Sequence, residues 1–106
     1  MSDPELSRIE GFDWDQGNSQ KSLSKHGVAH VACEQIFLNE PLIVAADERH
    51  SVVERRFNAL GKTAAGRWLH VTFTLRRDGK LIRIISARDM SRKEKSEYGK
   101  AAQEDS

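Results

Sequence analysis

The segment RWLHVTFTLRRDGKLIRIISAR, residues 67–88, carries the clearest secondary-structure pattern in the chain. Two runs of alternating apolar residues, 67–75 and 81–88, flank the dipeptide Asp78-Gly79. This dipeptide favours a two-residue turn between antiparallel strands. The stretch therefore predicts a β-hairpin, and the rest of the fold is expected to pack on it.

The register that this turn imposes separates an apolar face from a polar one. It places Phe73 on the apolar face, pairs Thr74 with Arg83, and pairs His70 with Ala87. Side chains alternate between the two faces of a strand. Arg83 is therefore expected on the polar face rather than in the core.

The remainder of the chain completes an α+β plan. Asp15 is a good helix N-cap, Gly27 suits a helix end, and Ser91 with Glu94 forms a capping box. In chain order the patterns predict a strand-like piece at 11–15, helices at 16–26 and 28–38, strands at 42–47 and 54–61, the hairpin, and a last helix. We expect one domain over residues 1–106, with an ordered core at about 11–98 and flexible termini. Its predicted architecture is two N-terminal helices packed on a four-strand, mainly antiparallel sheet, with a C-terminal helix.

Composition narrows the class of protein. The single cysteine, Cys33, excludes a disulfide framework, and no apolar run approaches the roughly 20 residues that span a bilayer. The N-terminus lacks the apolar segment of a signal peptide. We therefore expect a cytoplasmic protein with no membrane association.

Charge is distributed unevenly along the chain. Residues 49–95 hold thirteen Lys or Arg against four Asp or Glu, a net charge of +9, whereas residues 1–48 have a net charge of −6. A basic segment of this kind suits a polyanion such as RNA or DNA. The alternative is an ordinary solvated charged surface.

The polar face of the hairpin offers side chains that suit a single RNA strand. A guanidinium such as that of Arg83 binds phosphate through two parallel hydrogen bonds, and an indole such as that of Trp68 stacks on an unpaired base. The alternative is a half-exposed face with cross-strand Thr-Arg pairs. Arg88 has the other parity in this register, so it either reaches the site from the rim or pairs with an acidic residue.

Other candidates lie outside the hairpin. Lys25 and His26 end the first helix, where positive charge also suits the helix dipole. His50 follows Arg49 in a polar connection. The four histidines lack the spacing of a metal site, and no Gly-rich phosphate loop is present. We expect neither a metal nor a nucleotide cofactor.

Three motifs in order carry a family resemblance: FDWD…KSLSKHGV, then DERHS…ERRF…LG, then RIISAR before a basic helix. Over roughly residues 12–98 this combination resembles the BrnT family of type II toxin–antitoxin toxins. The resemblance implies a RelE-like fold and a ribonuclease activity that arrests growth. It also implies a cognate antitoxin, BrnA, which binds and neutralises the toxin and represses the shared operon through a ribbon-helix-helix domain. The motif positions are Lys25, His26, Gly27, Asp47, Arg49, His50, Glu54, Arg56, Gly61, Arg83, Ser86, Ala87 and Arg88.

The sequence departs from the family pattern at three places. Many relatives have Asp-Pro-x-Lys at the first helix, where this chain has Asp-Gln-Gly-Asn at 15–18. Many have a tyrosine at the position of Phe73. The position of His70 is often apolar in relatives, so a catalytic His70 would be particular to this chain.

A metal-free ribonuclease needs a base for the ribose 2′-hydroxyl, a cation for the charged phosphorane, and an acid for the leaving oxygen. We predict that Arg83 stabilises the phosphorane, with Arg88 or Arg56 assisting. The base is Glu54 or a histidine, and the sequence leaves this choice open. The predicted catalytic set is Lys25, His26, His50, Glu54, Arg56, Arg83 and Arg88. The predicted RNA-binding set is Arg49, Arg67, Trp68, His70, Thr72 and Thr74. Two alternatives remain, a non-catalytic nucleic-acid-binding module and an antitoxin-binding module that uses the same basic face.

Overall fold

A five-stranded mixed sheet organises the chain in a computed structural model, which describes residues 6–19, 26–50 and 54–104. The strand order is β1-β5-β4-β3-β2. The strands are β1 (Gly11–Phe12), β2 (Ile43–Ala46), β3 (Phe57–Lys62), β4 (Trp68–Arg76) and β5 (Leu81–Asp89). The helices are α1 (Gln16–Ser19), α2 (His30–Gln35) and α3 (Arg92–Glu104), and 3-10 turns cover Leu6–Arg8 and Glu48–His50.

The α+β class is confirmed, and the strand count is corrected. Four antiparallel strands follow one another as predicted, but β1 adds a fifth strand, which pairs in parallel with β5 through Gly11 and Leu81. A two-residue strand is too short for its sequence pattern to predict pairing with a strand 70 positions further along. Within the described residues no helix is long and apolar enough to cross a membrane.

The helices differ in length from their predicted spans. Within the predicted span of the first helix, Gln16–Ser19 and His26 are helical, and residues 20–25 lie outside the described ones. Gly27 has φ +64°, as its predicted role as a helix end requires. The second helix is six residues rather than eleven, because Ala29 is extended and the amides of Phe37 and Leu38 bond three residues back in a tight turn.

The main core lies between α2 and one face of the sheet. Cys33 and Ile36 are fully buried against the central strands. Phenylalanine rings from β1, β3, β4 and the turn after α2 meet at centroid distances of 5.2 to 5.7 Å. At Gly61 a Cβ atom would stand 2.7 Å from the Cβ of Ile36. Only glycine lets the helix approach the sheet this closely.

A β-bulge changes the predicted register of the hairpin. Pairing of Thr74 with Arg83 is confirmed, but beyond it Ile85 is an extra residue in β5. His70 therefore pairs with Arg88, and the predicted pairing with Ala87 was wrong. The bulge points the apolar Ala87 into the core, where the predicted register would have buried the hydroxyl of Ser86. Burying an alanine avoids the cost of burying that polar group. The bulge also turns Arg88 onto the polar face.

The C-terminal helix covers one end of that polar face. Tyr98 of α3 is buried, packs edge-on against Trp68 at 4.8 Å between centroids, and donates a hydrogen bond to the carbonyl of Pro41 at 2.6 Å. The predicted capping box is confirmed. The Ser91 amide donates to Glu94 Oε1 at 2.8 Å, and the Glu94 amide donates to Ser91 Oγ at 3.2 Å. The start of α3 is thereby held beside the end of β5.

Candidate active site

A cleft of about 450 Å³ opens on the polar face of the sheet, beside the start of α3. This volume lies within the range of about 300–1,000 Å³ that is usual for ligand pockets. The residues that line it are Asp47, Arg49, Arg56, Asn58, His70, Thr72, Ile85, Ser86 and Arg88.

Alternation along three neighbouring strands builds the floor of the cleft. Asn58 of β3 lies opposite Thr72 of β4, which lies opposite Ser86 of β5. The hydroxyl of Thr72 donates to Asn58 Oδ1 at 2.8 Å, so the amide nitrogen of Asn58 keeps its donors for other groups. One row of the sheet thus offers hydroxyl and amide groups to a polar ligand.

Arginines form the walls of the cleft. Arg49 comes from the 3-10 turn after β2, Arg56 precedes β3, and Arg88 lies near the end of β5. Asp47 is the one acidic residue among the described lining residues. Three guanidiniums against one carboxylate make the cleft cationic, as an anionic ligand requires.

Arg88 is both a cleft residue and a member of an ion pair. Its Nη1 donates to Glu94 Oε1 at 2.8 Å and its Nη2 donates to Glu94 Oε2 at 3.1 Å. This pair raises the pKa of Arg88 and lowers the pKa of Glu94 to about 2. The sequence left two alternatives for Arg88, reaching the site or pairing with an acidic residue. The structure shows both at once.

His70 is the half-buried imidazole of the cleft. Burial lowers its pKa below the usual 6.5, the charge of Arg88 lowers it further, and the carboxylates of Glu94 and Asp47 raise it. The imidazole is therefore mainly neutral near pH 7. A neutral imidazole is able to accept a proton.

The structure places Arg83 away from this cleft. Its Nη1 and Nη2 each lie 3.1 Å from a carboxylate oxygen of Asp15, and Nη1 lies 3.6 Å from Asp13 Oδ2. Asp15 raises the pKa of Arg83, and Arg83 in turn lowers the pKa of Asp15. The pairs bind the segment after β1 to β5, and the catalytic role predicted for Arg83 stays a prediction.

Two further predicted residues form ion pairs at the ends of the inner strands β4 and β5. Glu54 Oε2 accepts a hydrogen bond from Arg76 at 2.7 Å, outside the cleft. Arg67 bonds both oxygens of Asp89, at 2.7 and 3.0 Å, and also donates to the carbonyls of His26 and Gly27. These contacts tie loops to the sheet.

The last predicted residues lie away from the cleft or outside the described residues. Trp68 is half-buried and meets the Tyr98 ring of α3 edge-on at 4.8 Å, outside the cleft, so its predicted role in base stacking stays a prediction. The hydroxyl of the buried Thr74 donates to the carbonyl of Arg55 at 2.6 Å. Lys25 lies outside the described residues, as does the side chain of His50.

The cleft also contains residues that the predicted sets lack. For Asn58, the only indication in the sequence is strand alternation, which places it on the polar face of β3. Asp47 and Ser86 appear in the sequence as motif positions of the family resemblance. Glu94 lies outside the described lining residues and touches the cleft through Arg88 and His70. The sequence shows it as the end of a capping box, but its bond to Arg88 has no sequence pattern of its own. Among the described residues no group of three or more His, Cys, Asp or Glu side chains is placed to hold a metal ion.

Fold and cleft together define a class, a small α+β protein whose sheet carries an open cationic cleft with a half-buried histidine in its wall. A family model described as the ribonuclease toxin BrnT of a type II toxin–antitoxin system matches residues 14–94. The match spans most of the chain, and the chain belongs to the BrnT family. A search of the curated proteins found no match. The family is one of ribonuclease toxins, so an RNA target and an antitoxin partner are implied.

Proposed function

We propose that this protein is a metal-independent endoribonuclease whose active site is the cleft on the polar face of the sheet. The observation that carries the proposal is that Arg56, His70 and Arg88 line one cleft of about 450 Å³. A cationic group for a phosphorane and a neutral imidazole for a proton are two of the three elements that RNA transesterification requires.

The arginines stabilise the transferring phosphorus. As the 2′-oxygen attacks, negative charge grows on the two non-bridging oxygens, and the Arg88 and Arg56 guanidiniums supply fixed donors for it. One preorganised donor of this kind is worth about 3 kcal/mol of barrier. Arg88 is suited to this role because Glu94 already holds its guanidinium in place.

His70 takes the proton. The 2′-hydroxyl proton passes to the imidazole while the bond from the 2′-oxygen to phosphorus forms, and the bond from phosphorus to the 5′-oxygen breaks. The leaving 5′-oxygen takes up a proton from solvent water, and the imidazolium of His70 later returns its proton to solvent. The products are a 2′,3′-cyclic phosphate and a 5′-hydroxyl. Arg49 and the row of Asn58, Thr72 and Ser86 bind the neighbouring polar groups of the strand.

We further propose a cytoplasmic setting and a cognate BrnA-like antitoxin with a ribbon-helix-helix domain, joined to this chain in a hetero-oligomer. Support comes from the family, which is one of type II toxin–antitoxin systems, and from the basic cleft, which suits an acidic segment of such a partner. Co-expression with the product of a neighbouring small reading frame tests the pairing. A stable complex and relief of growth arrest are expected.

The activity itself is tested with purified protein and a long single-stranded RNA in excess EDTA. We expect fragments that end in 2′,3′-cyclic phosphate, identified by mass spectrometry, and at least a 100-fold slower rate for His70→Ala. An Arg8→Ala variant, altered at an exposed residue outside the cleft, is the control for protein quality. Cleavage that EDTA abolishes would refute the metal-independent mechanism.

A second function, binding without cleavage, uses the same cleft. It is favoured if the protein binds single-stranded RNA in a salt-sensitive manner but leaves the strand intact.

A further inference from the structure

Glu94 makes three contacts from the first turn of α3. Its two carboxylate oxygens accept the two bonds from Arg88, its Oε1 also accepts the Ser91 amide at 2.8 Å, and its Oε2 lies 3.8 Å from His70 Nε2. One carboxylate therefore meets both the cation and the imidazole of the proposed site.

Glu94 is not placed to act on RNA directly. It is absent from the described residues that line the cleft, and its side chain is 21% exposed. The bonds from Arg88 and the Ser91 amide hold its pKa at about 2, so the carboxylate is too weak a base to accept a proton near pH 7.

We propose that Glu94 is the positioning residue of this site, which fixes the Arg88 guanidinium and the His70 imidazole relative to each other without contacting the substrate. The inference rests on the proposed ribonuclease function. The capping box supplies the rigidity, because the same carboxylate is fastened to the start of a 13-residue helix. Because the Glu94 side chain is already held by these contacts, it loses little further conformational freedom when the site binds and cleaves RNA.

Two variants separate positioning from capping. Glu94→Gln keeps the length of the side chain and an oxygen for the Ser91 amide, and Gln is an accepted residue at this position of a capping box. It removes the negative charge and one of the two acceptors for Arg88. Ser91→Ala removes the hydroxyl bonded to the Glu94 amide but leaves the carboxylate and its bonds to Arg88 intact.

The charge on Glu94 also affects the titration of His70. The charged residues near His70 are Arg88 on β5, Glu94 on α3, Asp47 after β2, and the cleft arginines Arg49 and Arg56. Because Glu94 favours the protonated imidazole, its replacement by Gln is expected to lower the pKa of His70 further.

The experiment compares the wild type, Glu94→Gln and Ser91→Ala in two measurements. In RNA cleavage we expect Glu94→Gln to lower kcat by about 10- to 100-fold with little change in KM, since a small misplacement of a reacting group has effects of this size. The acid limb of its kcat/KM profile should move to lower pH. In NMR titration of the His70 ring protons, Glu94→Gln should titrate at lower pH, and Ser91→Ala should match the wild type in both measurements.

Two results would overturn the proposal. One is a Glu94→Gln variant with wild-type kcat or an unshifted His70 titration. The other is a Ser91→Ala variant that loses as much kcat as Glu94→Gln, because the effect would then come from the helix start. If the wild type cuts no RNA, the proposed function fails, and the NMR titration of the two folded variants alone decides whether Glu94 sets the state of His70.

Discussion

Arg56→Ala should weaken the salt dependence of RNA binding by a definite amount. Three arginines line the cleft, Arg49, Arg56 and Arg88. If each meets one phosphate of a single strand, the slope of log K against log salt is about −2, at roughly −0.7 for each contact. Affinity then falls about 20-fold between about 50 and about 200 mM salt, and only about 7-fold once one contact is removed.

The assay is fluorescence anisotropy with a 2′-O-methyl oligonucleotide, which lacks the free hydroxyl needed for cleavage and so reports binding alone. Arg8→Ala changes the net charge equally at an exposed position outside the cleft, and its slope should equal that of the wild type. Circular dichroism checks that Arg56→Ala is folded. Equal slopes for all three proteins would refute the assignment of Arg56 to a phosphate contact.

Four further predictions concern stability and reactivity. Gly61→Ala should destabilise the protein by about 1–3 kcal/mol, because its Cβ would stand 2.7 Å from a side chain of α2, and its Tm should fall by roughly 4–8 °C for each kcal/mol. Gly99 lies within α3, and a Cβ added there would stand 3.8 Å from the Trp68 ring, an ordinary contact distance. Gly99→Ala should therefore stabilise the protein by about 0.5–1 kcal/mol in urea unfolding, and a loss of stability would contradict the packing described. The pKa of Glu94 is lowered from 4.5 to about 2, so its ion pair with Arg88 stabilises the fold above pH 4.5. This contribution disappears as the pH falls toward 2. In urea unfolding measured across this pH range, Arg88→Ala should therefore lose less stability at acid pH than the wild type does. The buried thiol of Cys33 has a pKa raised to about 11, so a disulfide reagent at pH 8 should label it only after unfolding, and rapid labelling of the native protein would place it elsewhere.

Local chemistry made part of the fold predictable. The Ser91–Glu94 capping box depends on neighbours in the chain and has the predicted form. A turn forms at Asp78-Gly79 as predicted, but it is wider than two residues, because Arg77 also has positive φ and strand pairing ends at Arg76 and Leu81. The bulge at Ile85 was not predictable from alternation, since it depends on whether Ala87 or Ser86 faces the core.

That single shift decided much of the candidate site. Alternation correctly put Arg83 on the polar face, but it could not show that Asp13 and Asp15 would meet its guanidinium, because this contact joins residues 68 or more positions apart. In the same way, Arg88 joins His70 in the cleft only because the bulge reverses its parity. Arg83 and Arg88 are the same residue type on the same strand. They differ through the side chains that contact them in the folded protein.

The most direct test of the account compares single-turnover RNA cleavage by the wild type, Arg88→Ala and Arg83→Ala in excess EDTA, each shown to be folded. We expect a loss of about 100- to 1,000-fold for Arg88→Ala and a much smaller loss for Arg83→Ala, whose guanidinium is bound by Asp15. The reverse order, with Arg83→Ala inactive and Arg88→Ala near the wild-type rate, would contradict the placement of the active site in the cleft.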